Sequence, residues 1–208
     1  MLMRILIYNY FKIKRIFFFL LILLIVCSTN LNAKDDPSKI VEKLHISLIN
    51  NNNSKENKLK KFKALKQSLE EIYNYKKMIS FIYGRKWRTL SYEQKKTLQN
   101  LFLEYITINY LQRFSNIKNL EFKLNEVKEF DSKKTLVLTS LVTNENEPIN
   151  INYILILNNE EKWGIFDILY LGSISEIATK KSEFSSFVKE NNPEKLIEIM
   201  EKKINSFF

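Results

Sequence analysis

At about residue 120 the spacing of apolar side chains changes from roughly every 3.6 residues to every second one, and after Gly172 it changes back. Before the switch, Ile40, Val41, Leu44 and Leu48 share one helical face. Leu59, Phe62, Leu65, Leu69 and Ile72 share another, and Leu98, Leu101, Phe102, Tyr105 and Ile106 a third. After it, Leu120, Phe122 and Leu124, then Leu136 and Leu138, then Ile149, Ile151, Tyr153, Leu155 and Leu157 alternate as strands do, and a fourth strand covers residues 162–170. Helical spacing returns with Ile177, Phe184, Phe187 and Val188, and again with Leu196, Ile197, Met200 and Ile204. Strands segregated between two sets of helices predict an α+β fold with a mostly antiparallel sheet of about four strands.

Punctuation residues place the boundaries. Asp36 before Pro37 reads as an N-cap with proline at the first helical position, and the first helix is expected to stop near Ile49, where the asparagine-rich run 50–57 reads as a loop. A short helix over about 76–83 should end at Gly84, where a positive φ is needed. Ser91 and Gln94 make a capping-box pattern ahead of what should be the longest helix, running to about Phe114. Asn192 and Pro193 open the last helix. The turn around Asn158, Asn159 and Glu160 leaves the hairpin register open, since loops of two, three or five residues each pair Tyr153 with a different residue. Ile154 and Ile156 give the third strand a second apolar face, which invites a ligand on one side if the core takes the other.

Residues 1–33 carry Arg4, Lys12, Lys14 and Arg15 with no acidic residue, then the apolar run Ile16 to Val26, then a polar exit to Ala33. That order is a secretory signal peptide, and eleven apolar positions are short for a membrane span. Residues 34–208 are then one domain, and export puts it in the periplasm. Cys27, the one cysteine, falls inside the leader, with Val26 before it too bulky for a lipid-modification site. The exported part therefore has no disulfide, thiolate zinc site or cysteine nucleophile. The whole chain carries 33 Lys+Arg against 23 Asp+Glu; without the four basic leader residues 29 remain, a net of +6. In an exported protein this excess argues for anionic lipid or an acidic protein face as partner, not nucleic acid. Lys58, Lys60, Lys61, Lys63 and Lys66 crowd one helix, and Arg85, Lys86 and Arg88 follow its neighbour.

Little catalytic chemistry is available. The one histidine, His45, lies on a helix and reads as a surface or boundary residue, and glycines at 84, 164 and 172 make neither a P-loop nor a dinucleotide fingerprint. Carboxylate pairs such as Asp35 and Asp36 or Glu70 and Glu71 sit near helix ends or on polar faces. Asp167, inside an apolar strand, needs a partner: Arg85, Arg88 or the backbone amides that open the following helix. No enzyme, metal or cofactor is expected.

Two stretches carry a resemblance. One is Gly84-Arg85-Lys86-Trp87-Arg88-Thr89-Leu90-Ser91-Tyr92-Glu93-Gln94, continuing through Phe102, Tyr105 and Tyr110 to Arg113-Phe114. The other is Trp163-Gly164-Ile165-Phe166-Asp167-Ile168, then Gly172-Ser173-Ile174-Ser175-Glu176 and Lys180-Lys181-Ser182-Glu183-Phe184. Together they resemble the MlaC family, the toluene-tolerance periplasmic phospholipid-binding proteins, and most closely its alphaproteobacterial branch, where two arginines often stand in place of Lys180-Lys181. The resemblance implies a curved sheet packed with helices from both ends of the chain around an apolar cavity for acyl chains. It implies a soluble carrier between an outer-membrane lipoprotein complex and an inner-membrane ABC transporter with an MCE-domain subunit, helping to keep the outer membrane's lipids asymmetric. Phospholipid is then the cargo. The expected lining is Phe102, Tyr105, Phe122, Tyr153, Leu155, Trp163 and Ile165, aromatic and aliphatic residues of the central strands and longest helix. The rival reading is an adaptor that docks on an envelope complex through its basic face. An envelope hydrolase lacks a nucleophile and base.

Overall fold

A computed structural model describes residues 36–208 except 116, 118, 144, 145 and 191. The expected leader, with Cys27, lies outside the described residues. Helix α1, Pro37–Asn53, starts as its sequence dictates: the Asp36 carboxylate accepts from Ser38 N at 2.9 Å, and Ile40, Val41, Leu44 and Leu48 are buried. It does not stop near Ile49. Asn51 and Asn52 stay helical because their side-chain amides donate to distant carbonyls, Lys61 O and Ile117 O, each at 2.7 Å. Asparagine disfavours helices by bonding to its own neighbouring backbone; here that capacity is spent on tertiary partners.

Helix α2, Lys58–Ile72, is capped by Asn57, which accepts from Lys60 N at 3.0 Å. Phe62, Leu65, Leu69 and Ile72 are buried, whereas Leu59, at the open end of the same stripe, is exposed. Helix α3, Tyr75–Tyr83, ends at Gly84 with φ 74°. A 3₁₀ turn, Gly84–Thr89, leads to α4, Tyr92–Phe114, the longest helix among the described residues. Its capping box is complete: Ser91 Oγ accepts from Gln94 N at 3.1 Å and Gln94 Oε1 accepts from Ser91 N at 2.9 Å. Leu98, Phe102, Leu103, Ile106, Ile108 and Leu111 are all buried, and α1, α2 and α3 pack around the helix.

The strands form one open antiparallel meander in chain order: β1 Glu121–Asp131, β2 Lys134–Thr143, β3 Asn146–Leu157, β4 Trp163–Tyr170 and a two-residue β5, Ile174–Ser175. The fifth strand was too short to leave a periodic signal. Residues 158–162 close the β3–β4 hairpin, so the five-residue option is the one taken, and Asn158 Oδ1 holds the loop by accepting from Glu160 N at 2.9 Å and Lys162 N at 3.0 Å. Tyr153 faces Ile168, with an irregularity at Ile154/Leu155 that bends the pair. Thr135, Val137, Thr139, Tyr153, Leu155 and Ile165 fill the inner face at 0–1% exposure. Leu136 and Leu138, prominent in the sequence pattern, point the other way, and with Ile154 and Ile156 they form a half-exposed apolar outer surface. Helices α5 Glu176–Glu183, α6 Ser185–Lys189 and α7 Pro193–Asn205 complete the chain, the last capped by Asn192, which accepts from Lys195 N at 3.0 Å.

The β4–β5 turn puts Leu171 at φ 50° and Gly172 at φ 79°, with Ser173 N donating to Tyr170 O at 3.1 Å. Two consecutive positive φ values suit Asn-Gly, and leucine pays a steric cost there. Leu171 is also 66% exposed, so it gains little burial in return. Leu171→Asn is therefore expected to stabilise the protein by about 0.5–1 kcal/mol, read as a rise in urea midpoint at constant slope.

Candidate functional site: an apolar cavity between helices

A cavity of about 280 Å³ lies where the ends of α1 and α4 meet the start of α2. Its walls are Leu48, Leu65, Tyr110, Leu111, Phe114 and Phe207, and its rim carries Asn51, Asn52, Lys58, Lys61, Gln112 and Ser115. Lys58, Gln112 and Ser115 are exposed, so the rim meets solvent, while Leu48, Leu65, Tyr110, Leu111 and Phe114 are buried. The wall forms because α4 turns apolar on several sides at once near its end, and the bonds from Asn51 and Asn52 hold α1 against α2 and the segment after α4.

An aromatic column runs from this wall into the core. Tyr110 stacks on Phe114 with ring centroids 5.7 Å apart, Phe114 meets Phe122 at 6.0 Å, and Phe122 lies flat on His45 at 4.0 Å. His45 Nε2 and the Tyr153 hydroxyl share a hydrogen bond of 3.1 Å. His45 is thus 8% exposed and interior, not the surface or boundary residue its helix position implied; burial lowers its pKa from 6.5 to about 4 and keeps it neutral. Burial likewise raises Tyr153 far above the tyrosine range. Tyr110 and Tyr73 share a short hydroxyl–hydroxyl bond in the buried interior, and burial pushes both far up. These groups are neutral at any physiological pH. They satisfy one another without presenting charge to the cavity.

None of the seven residues expected from the sequence lines this cavity. Phe122 and Tyr153 belong to the aromatic column behind it. Phe102, Leu155 and Ile165 are at 0–1% exposure in the core, and Trp163 is 8% exposed at the start of β4. Tyr105 ties α4 to α5: its hydroxyl donates to Glu183 Oε1 at 2.9 Å and accepts from Lys180 Nζ at 3.0 Å. Burial alone would lower the Lys180 pKa, but bonds to Glu183 and Tyr105 outweigh it and hold the pKa above the usual lysine value. Of the residues that do line the cavity, Leu48 and Leu65 were visible as helix stripes. Phe207 and the rim asparagines carried no periodic signal.

Asp167 finds its partners in the backbone and a hydroxyl. Its carboxylate accepts from Ile168 N at 2.8 Å, Ile177 N at 3.0 Å and Ser175 Oγ at 2.6 Å, which fixes the start of α5 onto β4. Arg85 and Arg88 stay exposed on the surface. The lysine run is divided: Lys60 pairs with Glu56 at 3.0 Å and Lys66 with Glu104 at 2.6 Å, while Lys58 and Lys61 turn to the cavity. No helix among the described residues is long and apolar enough to cross a membrane.

The family model for the MlaC protein matches residues 39–202. The chain belongs to the MlaC family. No curated protein matches it. Among solved structures, a phospholipid-binding protein from Ralstonia solanacearum, determined in complex with a phospholipid, is similar at a TM-score of 0.68 and 18% identity, over 82% of this chain and 95% of that one. At that identity the likeness establishes the fold: the MlaC-type arrangement of an antiparallel sheet with helices contributed by both ends of the chain.

Proposed function

We propose that this protein is a periplasmic phospholipid carrier: the soluble component that passes lipid between an inner-membrane ABC transporter bearing an MCE-domain subunit and an outer-membrane lipoprotein complex. The observation that carries this reading is the apolar cavity of about 280 Å³ opening beside lysines, in a member of the MlaC family. The basic, apolar and small-residue order of positions 1–33 supports export and cleavage near Ala33. The phospholipid held by the Ralstonia protein on a similar fold supports the class of cargo. Nothing in the site calls for catalysis or a cofactor, because a carrier needs only affinity and release.

Each acyl CH₂ costs roughly 0.8 kcal/mol to expose to water, so a carrier must match the bilayer closely enough to load and loosely enough to unload. Small-molecule sites begin at roughly 300 Å³. A cavity of about 280 Å³ takes part of one chain, and holding more requires α1, α2 and α4 to move apart. On this reading Phe122 and Tyr153, behind the present wall, and then Phe102, Tyr105, Leu155, Trp163 and Ile165 are the surfaces that a deeper cavity between helices and sheet would reach.

The test is mass spectrometry of organic extracts from protein purified without detergent. Phospholipid near one equivalent per chain is the expected result. Lipid far below that level would favour the adaptor, a well-packed domain that docks through its basic face.

A further inference from the structure

Resting on the carrier reading, we propose that Lys58 and Lys61 form a phosphate-oxygen site at the mouth of the cavity, so that the protein grips its cargo by the anionic headgroup as well as by the chain. Helix α2 begins at Lys58, and its first turn contains no acidic residue. The positive end of the helix dipole therefore adds to the lysine charges there. Lys60 is neutralised by Glu56 at 3.0 Å, but among the described residues no ion pair reaches Lys58 or Lys61. Lys61 is half-buried at the edge of the apolar wall.

Lys58 shows where an acceptor oxygen sits. Its ammonium donates to the carbonyl of Phe207 in a short hydrogen bond and lies 4.3 Å from the centre of the Phe207 ring. A neutral carbonyl is a weak partner for an ammonium compared with a phosphate oxygen, whose charge-assisted bond is roughly twice as strong. The rim amides Asn51 and Asn52 each commit an N–H to the protein itself, to Lys61 O and Ile117 O, and unlike the lysines they carry no charge. Two lysines and the exposed Gln112 stand on the rim for an incoming headgroup, beside an apolar wall that takes part of its chain. An acyl chain entering between Leu65 and Leu111 brings its phosphate to this rim, and the Phe207 carbonyl gives way to it.

The same oxygen chemistry can come from a lipid headgroup or from free phosphate, and the experiment separates them. Binding of pyrene-labelled phosphatidylglycerol and of a diacylglycerol with the same chains is measured on the wild-type protein, Lys58→Gln/Lys61→Gln and Lys58→Arg/Lys61→Arg. Thermal melts without ligand check that all three are folded. The wild type should prefer the phospholipid by about tenfold or more, equivalent to about 1.4 kcal/mol, the glutamine pair should bring the two affinities to within about twofold, and the arginine pair should keep most of the preference. A preference that survives the glutamine pair overturns the proposal. In a second arm, about 10 mM inorganic phosphate without lipid is added at constant ionic strength, which keeps general screening fixed. A melting-temperature rise in the wild type, absent in the glutamine pair, shows that free phosphate occupies the site. No rise together with a lysine-dependent lipid preference assigns it to the headgroup. Failure of the wild type to bind either lipid would sink the carrier reading, and the phosphate arm then decides the site on its own: a lysine-dependent rise sustains it, and no rise removes it.

Discussion

Leu155→Glu should fail to fold, whereas Leu111→Glu should fold and lose lipid. Both leucines are buried and apolar, and both lie on elements that a carrier reading implicates. Leu155 is 0% exposed on the inner face of β3, opposite Thr135 and Ile165. A carboxyl there must either ionise without a partner or be held protonated. Shifts of 3–5 pKa units for fully buried groups put the cost at about 4–7 kcal/mol, comparable with the whole stability of a domain. Leu111 is 9% exposed and borders the cavity beside the exposed Gln112 and Ser115, so a carboxylate can turn toward the rim and water. Its expected cost is about 1–3 kcal/mol, within what a stable domain survives. Circular dichroism and urea melts, followed by lipid quantification of the folded variant, read both outcomes. A folded Leu155→Glu that has lost its lipid would move the acyl-chain site to the sheet and restore the sequence-based lining to the centre of the mechanism.

The contrast between those two leucines also marks what the sequence could convey. Periodicity reports that a side chain is turned inward; it does not report whether an inward side chain meets another atom or a void. The stripes of α1, α2 and α4, the caps at Asp36, Ser91 and Asn192, and the alternation of β3 were therefore readable, and each is present except that Leu59, at the open end of the α2 stripe, is exposed. The position of the cavity was not, because it arises where three helix ends fail to fill the space between them, a property of helix length and angle. Two local features deepened the difficulty. Asn50–Asn53 looked like a loop, yet tertiary hydrogen bonds keep it helical and carry α1 on to the cavity rim. Phe207 lies beyond the last periodic residue of α7, where it lines the cavity beside Lys58. The five-residue β3–β4 loop illustrates the same limit for register, since three loop lengths satisfied the sequence and the side-chain bonds of Asn158 selected one.

Stability should fall as the pH drops from about 6.5 toward 4, and His45 should be a main cause. Its imidazole lies between the Phe122 ring and the Tyr153 hydroxyl, where desolvation lowers its pKa from 6.5 to about 4. Because the folded value is the lower one, the unfolded chain binds more protons throughout that window, and the native state loses ground as acid is added. Above pH 6.5 the neutral ring contributes its full packing. Near pH 5 roughly 2 kcal/mol is lost, and roughly 3 kcal/mol by pH 4, where the folded protein also begins to protonate. His45→Gln, which cannot ionise, should be less stable at pH 7.5 through lost stacking but show a distinctly flatter decline to pH 5. The comparison to make is the slope of urea-derived stability against pH in the two proteins, since carboxylates titrating below pH 5 affect both alike. Equal slopes would mean that the ring is protonated in the folded state at little cost, and that the aromatic column behind the cavity is looser than its geometry implies.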